Sequence, residues 1–193
     1  MLIKLLKLFL QSLFLLLLVA VVIGLTLPQN YSVDKKIEIN ANTRTIKSLV
    51  TDFNQWHKWS PWQQVDPSIK FTVNEPSLGV GAHQSWVSKW GYGEMTITSI
   101  SQNKMSFNML LDDENIVQGT LAFIEENQSI TVICHIEGQA NTILISGYMA
   151  ILSEYVLGNT VALGLNNLKT VAQLSDMQSI MESHDSQNST SPN

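Results

Sequence analysis

The feature that most constrains the fold is a series of six consecutive segments with a two-residue apolar period, between residues 69 and 138. In the clearest of them, Met105, Phe107 and Met109 alternate with Ser106 and Asn108. A period of two is typical of strands that bury one face, because successive side chains point to opposite sides. The connections between the segments are short and polar. The pattern therefore predicts an antiparallel meander of six strands with a single apolar face.

Helical patterns flank this meander. A short strand leads into a helix that we expect to begin at Asn42 or Thr43 and to run to Phe53. Beyond the meander, apolar residues recur at three- and four-residue steps from Tyr148 to Ala172. One long amphipathic helix lying across the sheet is the simplest way to bury its apolar face. The predicted fold class is α+β, a curved antiparallel sheet wrapped round a long C-terminal helix.

The long helix and the sheet leave room for a cavity. A curved sheet and one helix rarely fill the space between them, so we expect a pocket on the order of a few hundred Å³. Gly158 and Gly164 lie inside the helical pattern, where each weakens a helix by about 1 kcal/mol relative to alanine. Close packing onto the sheet, or a kink beside a ligand, would justify them.

The N-terminal residues 5–27 are almost wholly apolar, with Lys7, Gln11 and Ser12 as the interruptions before Gly24. About 20 helical residues at a rise of 1.5 Å span the roughly 30 Å hydrocarbon core of a bilayer. We expect one transmembrane helix that packs on nothing else. A cleaved signal peptide is the alternative, although the run is long and residues 24–26 make a poor cleavage site.

Lysines set the expected orientation of this span. Lys4 and Lys7 precede it, whereas the charges just after it nearly balance, so the N-terminus should stay in the cytoplasm. We expect a single-pass protein of the inner (cytoplasmic) membrane with its domain on the periplasmic or extracytoplasmic side. The predicted divisions are residues 1–28 as anchor, 29–176 as the folded domain, and 177–193 as a disordered tail rich in Ser, Gln, Asn and Asp.

Composition excludes several classes of function. The 193 residues carry a net charge of −5, whereas general nucleic-acid binders present a basic surface. Cys134 is the only cysteine, so neither an internal disulfide nor a cysteine-based zinc site can form. The sequence has no His/Glu metal spacing, P-loop, serine elbow or dinucleotide fingerprint. We therefore expect no metal, no cofactor and no nucleic-acid partner.

Residues 56–62 read W-H-K-W-S-P-W, with three tryptophans in one short segment. Only His57 and Lys58 supply local basic groups, which disfavours a stacking platform for nucleic acid. Two compatible interpretations stay open. Trp56 and Trp59 can plug an open end of the sandwich of sheet and helix, and Trp62 can edge the mouth of an apolar cavity.

Four segments carry a resemblance to a known family: T-D-F-N-Q-W-H-K-W-S-P-W at 51–62, G-V-G-A-H-Q-S-W at 79–86, G-Y-G-E-M-T-I-T at 91–98 and G-L-N-N-L-K at 164–169. Together they resemble the SRPBCC superfamily, whose members include START lipid-transfer domains, and within it the bacterial polyketide cyclase/dehydrase-like proteins. The resemblance covers about residues 33–173 and implies the helix-grip fold. It implies little about activity, because the superfamily includes lipid carriers, chaperone activators and a few enzymes. Relatives often carry tryptophan where this chain has Cys134, and the smaller side chain would enlarge a pocket there.

The favoured function is a membrane-anchored domain that binds a hydrophobic small molecule or lipid between the sheet and the C-terminal helix. The predicted ligand-binding residues are Trp62, Trp86, Trp90, Met95, Phe107, Leu121, Cys134, Tyr148, Leu152 and Tyr155.

The alternative function is a polyketide cyclase/dehydratase-like enzyme acting in the same cavity. Catalytic candidates are few, because His83 and His135 are expected on the outer side of the sheet and the sequence shows no acid–base pair. Glu94 lies in a glycine-rich stretch and is either a buried acid or an ordinary solvated residue. We assign no catalytic residue.

Overall fold

The computed structural model describes residues 2–112, 115–126 and 129–189. Helix α1 (Leu2–Thr26) is followed by strand β1 (Asn30–Ile39) and three short helices, α2 (Thr43–Thr51), α3 (Phe53–Trp56) and α4 (Trp62–Val65). The remaining strands are β2 (Lys70–Asn74), β3 (His83–Ser88), β4 (Gly91–Ile100), β5 (Lys104–Leu111), β6 (Asn115–Glu126) and β7 (Ser129–Gln139). Helix α5 (Ser146–Ser189) ends the described chain.

The seven strands form one antiparallel sheet in the order β1-β7-β6-β5-β4-β3-β2. The predicted six-strand meander is confirmed, and β1 adds to its open edge by pairing with β7 from Asn30↔Gln139 to Ile39↔Ile130. The apolar face buries residues such as Ile97, Met105 and Val132. Because α5 covers this face, the predicted α+β architecture with a long C-terminal helix is confirmed.

Three inward-facing aromatic side chains cover glycines on neighbouring strands. In each pair the two residues lie directly opposite each other, and a β-carbon on the glycine would collide with the ring. A ring therefore occupies the space that a second side chain would normally fill, which holds the two strands in register. The pairs are Trp86 with Gly93, Phe107 with Gly119, and Tyr31 with Gly138.

The first helix of the domain ends earlier than expected. The prediction carried it to Phe53, but α2 ends at Thr51 because Asp52 is extended, with φ −118° and ψ 111°. Asp52 forms an isolated bridge with Leu78, and its carboxylate accepts a hydrogen bond of 2.9 Å from the Asn54 N–H. Asp52 thus caps a new short helix, α3.

Helix α5 continues beyond the end predicted for the domain. The disordered tail was predicted to begin at residue 177, whereas α5 remains helical through Ser189. Extending an existing helix needs no new nucleation, so a polar segment can continue it at little cost. Residues 190–193 of the predicted tail lie outside the described residues.

Helix α1 packs against the start of α5, which corrects the expectation that it packs on nothing. The Tyr148 hydroxyl donates a hydrogen bond of 2.9 Å to the Ala20 carbonyl. Gly24 is buried against Tyr148, and Gly147 lies against Leu27. Glycine at both contacts lets the two helix backbones approach closely. Two described helices, α1 and α5, are long and apolar enough to cross a membrane, but α5 packs on the sheet.

Candidate functional site: an apolar cavity under the long helix

A cavity of about 60 Å³ lies between the sheet, α5 and residues 56–62, which we call the tryptophan segment. The sheet contributes Met95, Phe107, Met109, Leu121, Cys134 and Ile136; the segment contributes Trp56, Trp59, Pro61 and Trp62; and α5 contributes Thr160, Val161, Gly164 and Leu165. Trp62 and Val161 are half-buried, so solvent reaches the cavity beside them. The volume is well below the predicted few hundred Å³, because tryptophan and methionine side chains fill most of the space.

The tryptophan segment is fixed by hydrogen bonds to helix α2. The indole N–H of Trp56 donates to the Val50 carbonyl at 2.9 Å, and that of Trp59 donates to the Leu49 carbonyl at 3.0 Å. These two carbonyls lie in the last turn of α2, where they lack helical partners. The rings of Trp56 and Trp59 are buried and have their centroids 4.8 Å apart. The expectation that both residues form a plug is confirmed.

Gly164 explains how α5 reaches the segment. A β-carbon at this position would lie 3.1 Å from Cδ of Pro61, which is tighter than an ordinary contact. Gly164 is therefore explained by close packing, but the packing is on the tryptophan segment and not on the sheet as expected. Gly158 differs, because its β-carbon would meet only the flexible Lys35 side chain, at 3.5 Å from Cε.

The cavity wall offers a ligand almost no polar group. The Thr160 hydroxyl donates a hydrogen bond of 2.8 Å to the Val156 carbonyl of its own helix. Burial, followed by the nearby Asp34 carboxylate, raises the pKa of the Cys134 thiol to about 12. The thiol therefore stays protonated and uncharged at neutral pH. Such a wall suits apolar groups and penalises charged ones.

A second cavity of about 230 Å³ adjoins the first and shares Trp56 with it. Its other lining residues are Phe53, Asn54, His57, Ser60, Gln63, Phe71, Val73 and Gln84. Gln84 is buried, and its amide lies 3.8 Å from the sulfur of Met95, which lines the first cavity. An apolar and a polar chamber thus meet at Trp56 and Met95.

Five of the ten predicted ligand-binding residues line the apolar cavity: Trp62, Met95, Phe107, Leu121 and Cys134. Their role in binding stays a prediction.

The other two predicted tryptophans lie elsewhere. Trp86 covers Gly93 and packs against Phe71, with ring centroids 6.1 Å apart. Trp90 was expected to border the pocket, but it is 78% exposed in the turn between β3 and β4. Its ring lies 5.0 Å from the Lys89 ammonium. The short hairpin turns Trp90 outward at the end of the sheet, which the strand period alone did not foresee.

The three predicted residues of α5 lie on the wrong face of the helix for the cavity. Tyr148 contacts α1, whereas Leu152 is half exposed and Tyr155 is 71% exposed. The buried positions nearby include Ala150 and Gly158, whose small size lets the helix approach β1. The prediction assigned the bulky apolar side chains to the sheet, but the small ones face it.

Nine lining residues were absent from the predicted set: Trp56, Trp59, Pro61, Met109, Ile136, Thr160, Val161, Gly164 and Leu165. The strand period identifies two of them, because Met109 shares a face with Phe107 and Ile136 shares one with Cys134. Gly164 was visible as an unexplained helical glycine. The contact between Pro61 and α5 has no local sequence signal.

His83 and His135 lie with acidic residues on the outer face of the sheet, away from both chambers, whereas His57 lines the polar chamber. His83 lies 3.0 Å from the Thr96 hydroxyl and 3.7 Å from the Glu94 carboxylate. His135 lies 2.7 Å from Asp34, and this hydrogen bond raises the pKa of the imidazole. In the described parts of the chain, no group of three or more His, Cys, Asp or Glu residues could hold a metal.

No protein-family model matches the chain, and no curated protein matches it either. Solved structures do match. TTHA0849 from Thermus thermophilus is 16% identical, with a TM-score of 0.57 over 75% of this chain and 98% of that one. CV1439 from Chromobacterium violaceum is 12% identical, with a TM-score of 0.53 over 74% and 97%. DynU16, from the dynemicin biosynthetic locus, is 9% identical, with a TM-score of 0.53 over 75% of this chain and 48% of that one. At these identities the likeness concerns the fold alone.

Proposed function

We propose that this chain is a membrane-anchored domain that binds a hydrophobic small molecule, or the acyl part of a lipid, in the apolar cavity beneath α5. The observation that carries the proposal is the wall of that cavity. It combines three tryptophans with aliphatic and methionine side chains, and its hydroxyl and buried indole N–H groups already have partners within the protein. Only an apolar ligand gains from entering such a space.

The ligand must enlarge the cavity, since about 60 Å³ holds only a small part of a typical ligand. Met95 and Met109 supply flexible, unbranched side chains that can rearrange. Half-buried Trp62 lies where the wall meets solvent and can swing outward. A shift of Met95 would also open the apolar chamber toward the polar one, so an amphiphile could place its polar end near Gln84.

Binding is preferred over catalysis because no described residue lining the apolar cavity can act as a general acid or base at neutral pH. The fold neighbour DynU16 comes from the dynemicin biosynthetic locus, which suits a binding domain and a cyclase-like enzyme equally well. A cyclase-like activity would need an acid–base pair in the cavity, and His83 with Glu94 lies on the other side of the sheet.

The membrane part of the proposal rests on α1, which is apolar along most of its length and almost entirely exposed. Lys4 and Lys7 at its start favour a cytoplasmic N-terminus and a domain outside the cytoplasm. Alkaline phosphatase fused after Asn193 should be active, and the full chain should resist alkaline extraction from membranes. An inactive fusion would contradict the orientation, and alkaline extraction of the intact chain would contradict the anchor.

A pair of substitutions at one position tests the cavity. Cys134→Leu should fill the apolar space, whereas Cys134→Ala should leave it open. The full chain is purified in detergent, and the small molecules that stay bound are extracted and measured by mass spectrometry. We expect wild type and Cys134→Ala to retain the same compound and Cys134→Leu to lose it. Equal retention by Cys134→Leu would place the ligand elsewhere and overturn the proposal.

A further inference from the structure

Helix α1 and the start of α5 form a close-packed pair at one end of the domain. The hydrogen bond from Tyr148 to the Ala20 carbonyl joins the first turn of α5 to the second-last turn of α1. From Ala20 to Thr26 the helix rises roughly 9 Å. If α1 spans a bilayer, the contact between Tyr148 and Ala20 lies inside the bilayer, about 9 Å from the end of α1 where the chain leaves the membrane. The first turn of α5 must then share that depth.

The loop before α5 is apolar and exposed. Ile143 is 85% exposed, and Leu144 and Ile145 are also exposed. The Leu144 carbonyl lies beside Gly24 of α1, so this loop abuts the anchor directly. Three successive bulky aliphatic residues in water would be costly, since burying each one fully gains about 1.5–3 kcal/mol.

The strand register extends this surface across the sheet. The pairs Asn30↔Gln139, Gly138↔Val117, Asn115↔Leu111 and Ser88↔Gly91 lie at the same end of their strands, next to the exit of α1. We call this the anchor end. The turn between β3 and β4, which carries Lys89 and Trp90, also lies there, roughly 20 Å from β1 at about 4.8 Å per strand.

We propose that the anchor end is a membrane-docking surface, in which the loop of Ile143–Ile145 and Tyr148 enter the bilayer beside α1 and Trp90 rests in its headgroup layer. This docking surface extends the proposed function, and it rests on the proposal that α1 is the membrane anchor. Tryptophan is enriched at membrane–water interfaces, where its ring is apolar and its N–H remains hydrated. Lys89, with its ammonium 5.0 Å from that ring, suits a lipid phosphate.

Exposure alone does not support this inference, because apolar residues are also exposed at the opposite end of the sheet. Val80, in the loop between β2 and β3, is 60% exposed there. The continuity with α1 distinguishes the anchor end. A domain suspended freely from a flexible tether would not fix its own helix against the inner part of the anchor.

Three exposed positions, Ile143, Trp90 and Val80, differ in their expected depth in the bilayer and are used for the experiment. Cysteine is introduced at Ile143, Trp90 or Val80 in the full chain, and each variant is labelled with the environment-sensitive fluorophore NBD. Wild type treated identically measures labelling of Cys134, which is buried and has a raised thiol pKa. The proteins are reconstituted into vesicles of phosphatidylethanolamine and phosphatidylglycerol, with or without nitroxide-labelled phosphatidylcholine. Flotation of the vesicles reports whether α1 is inserted.

We expect the nitroxide lipid to lower emission about twofold or more at Ile143, less at Trp90 and not at Val80, in the order of their depth. Unquenched NBD at Ile143 in protein that floats with the vesicles would overturn the docking surface and leave the anchor intact. Protein that does not float would overturn both. Ligand retention by the Cys134 variants is measured separately in detergent, so neither failure is confused with failure of the cavity.

Discussion

Two stretches of helix α5 follow the same apolar period with opposite results. In residues 148–156 the bulky apolar side chains Leu152 and Tyr155 are exposed. In residues 160–172 Leu165 and Leu168 are buried in the hydrophobic core. The first stretch meets β1 through small residues such as Ala150, which permit close approach. The helical period of the sequence identifies the faces of a helix, whereas the distance between the helix and the sheet decides which face is buried.

The largest effect should come from truncating one leucine in each stretch. Leu168 is fully buried, so Leu168→Ala should lower the free energy of unfolding by about 2–5 kcal/mol through lost burial and a residual cavity. Leu152→Ala removes the same atoms from a half-exposed position and should change it by less than about 0.5 kcal/mol. Guanidinium denaturation of the full chain in detergent, followed by tryptophan fluorescence, measures both.

Equal losses at the two positions would show that the first stretch of α5 is also buried in solution. The contrast between the two stretches would then be wrong, and the first stretch would not present a free apolar surface beside α1. Detergent is the right medium for this control, because it covers exposed apolar residues in both variants alike.

Sequence reasoning predicted the sheet well because two-residue alternation depends only on which face is buried. Met95, Phe107, Leu121 and Cys134 share that face and meet at the cavity as expected. The placement of Tyr148, Leu152 and Tyr155 was wrong because helix rotation is set by contacts with β1 and α1, which are distant in sequence. The size of the cavity was not predictable either, since it depends on how the indoles of Trp56 and Trp59 pack.

The aromatic–glycine pairs were only partly predictable from the sequence. Their residues were visible in the sequence, as was the alternation that turns Phe107 and Gly119 inward. Pairing them required the register between β5 and β6, which the length of the connecting turn sets. Counting the residues between β5 and β6 can give that register, so this part of the core could in principle have been predicted from the sequence.

The next largest effect is the difference between alanine substitutions at the two glycines of α5, which we expect to be about 1.5–2 kcal/mol in the free energy of unfolding. Gly158→Ala should raise the free energy of unfolding by about 0.5–1 kcal/mol, because alanine favours the helix and its methyl meets only Lys35. Gly164→Ala gains the same helix preference but pushes against Pro61, so we expect a net loss of about 1 kcal/mol. Denaturation of both variants and of wild type measures these changes in the free energy of unfolding. A stabilising Gly164→Ala would mean that the tryptophan segment yields easily.

The far part of α5 is tied to α2 through a carboxylate. Asp176 accepts a hydrogen bond of 3.2 Å from the Asn42 N–H and one of 3.0 Å from the Thr45 hydroxyl, at the N-terminus of α2. A negative charge is favourable there, so Asp176→Ala should cost about 0.5–1 kcal/mol. Glu154→Ala, at an exposed position in the first stretch, is the matched control and should change little. A similar loss for both acids would indicate a general charge effect.

The smallest effect concerns the face of the sheet that α5 does not cover. Cys134 and His135 are neighbours on β7, but His135 points outward, and its hydrogen bond to the Asp34 carboxylate raises the pKa of the imidazole. The folded protein therefore holds the proton more tightly than the unfolded chain, whose histidine pKa is about 6.5. The stabilisation is complete below that pH and is lost as pH rises through the raised folded pKa. Because the imidazole is 39% exposed, solvent screening limits the effect to about 0.5 kcal/mol. Asp34→Asn should flatten this part of the profile of unfolding free energy between about pH 6 and 8. An unchanged slope would mean that the ion pair adds nothing, and that the covered face alone sets the stability of the sheet.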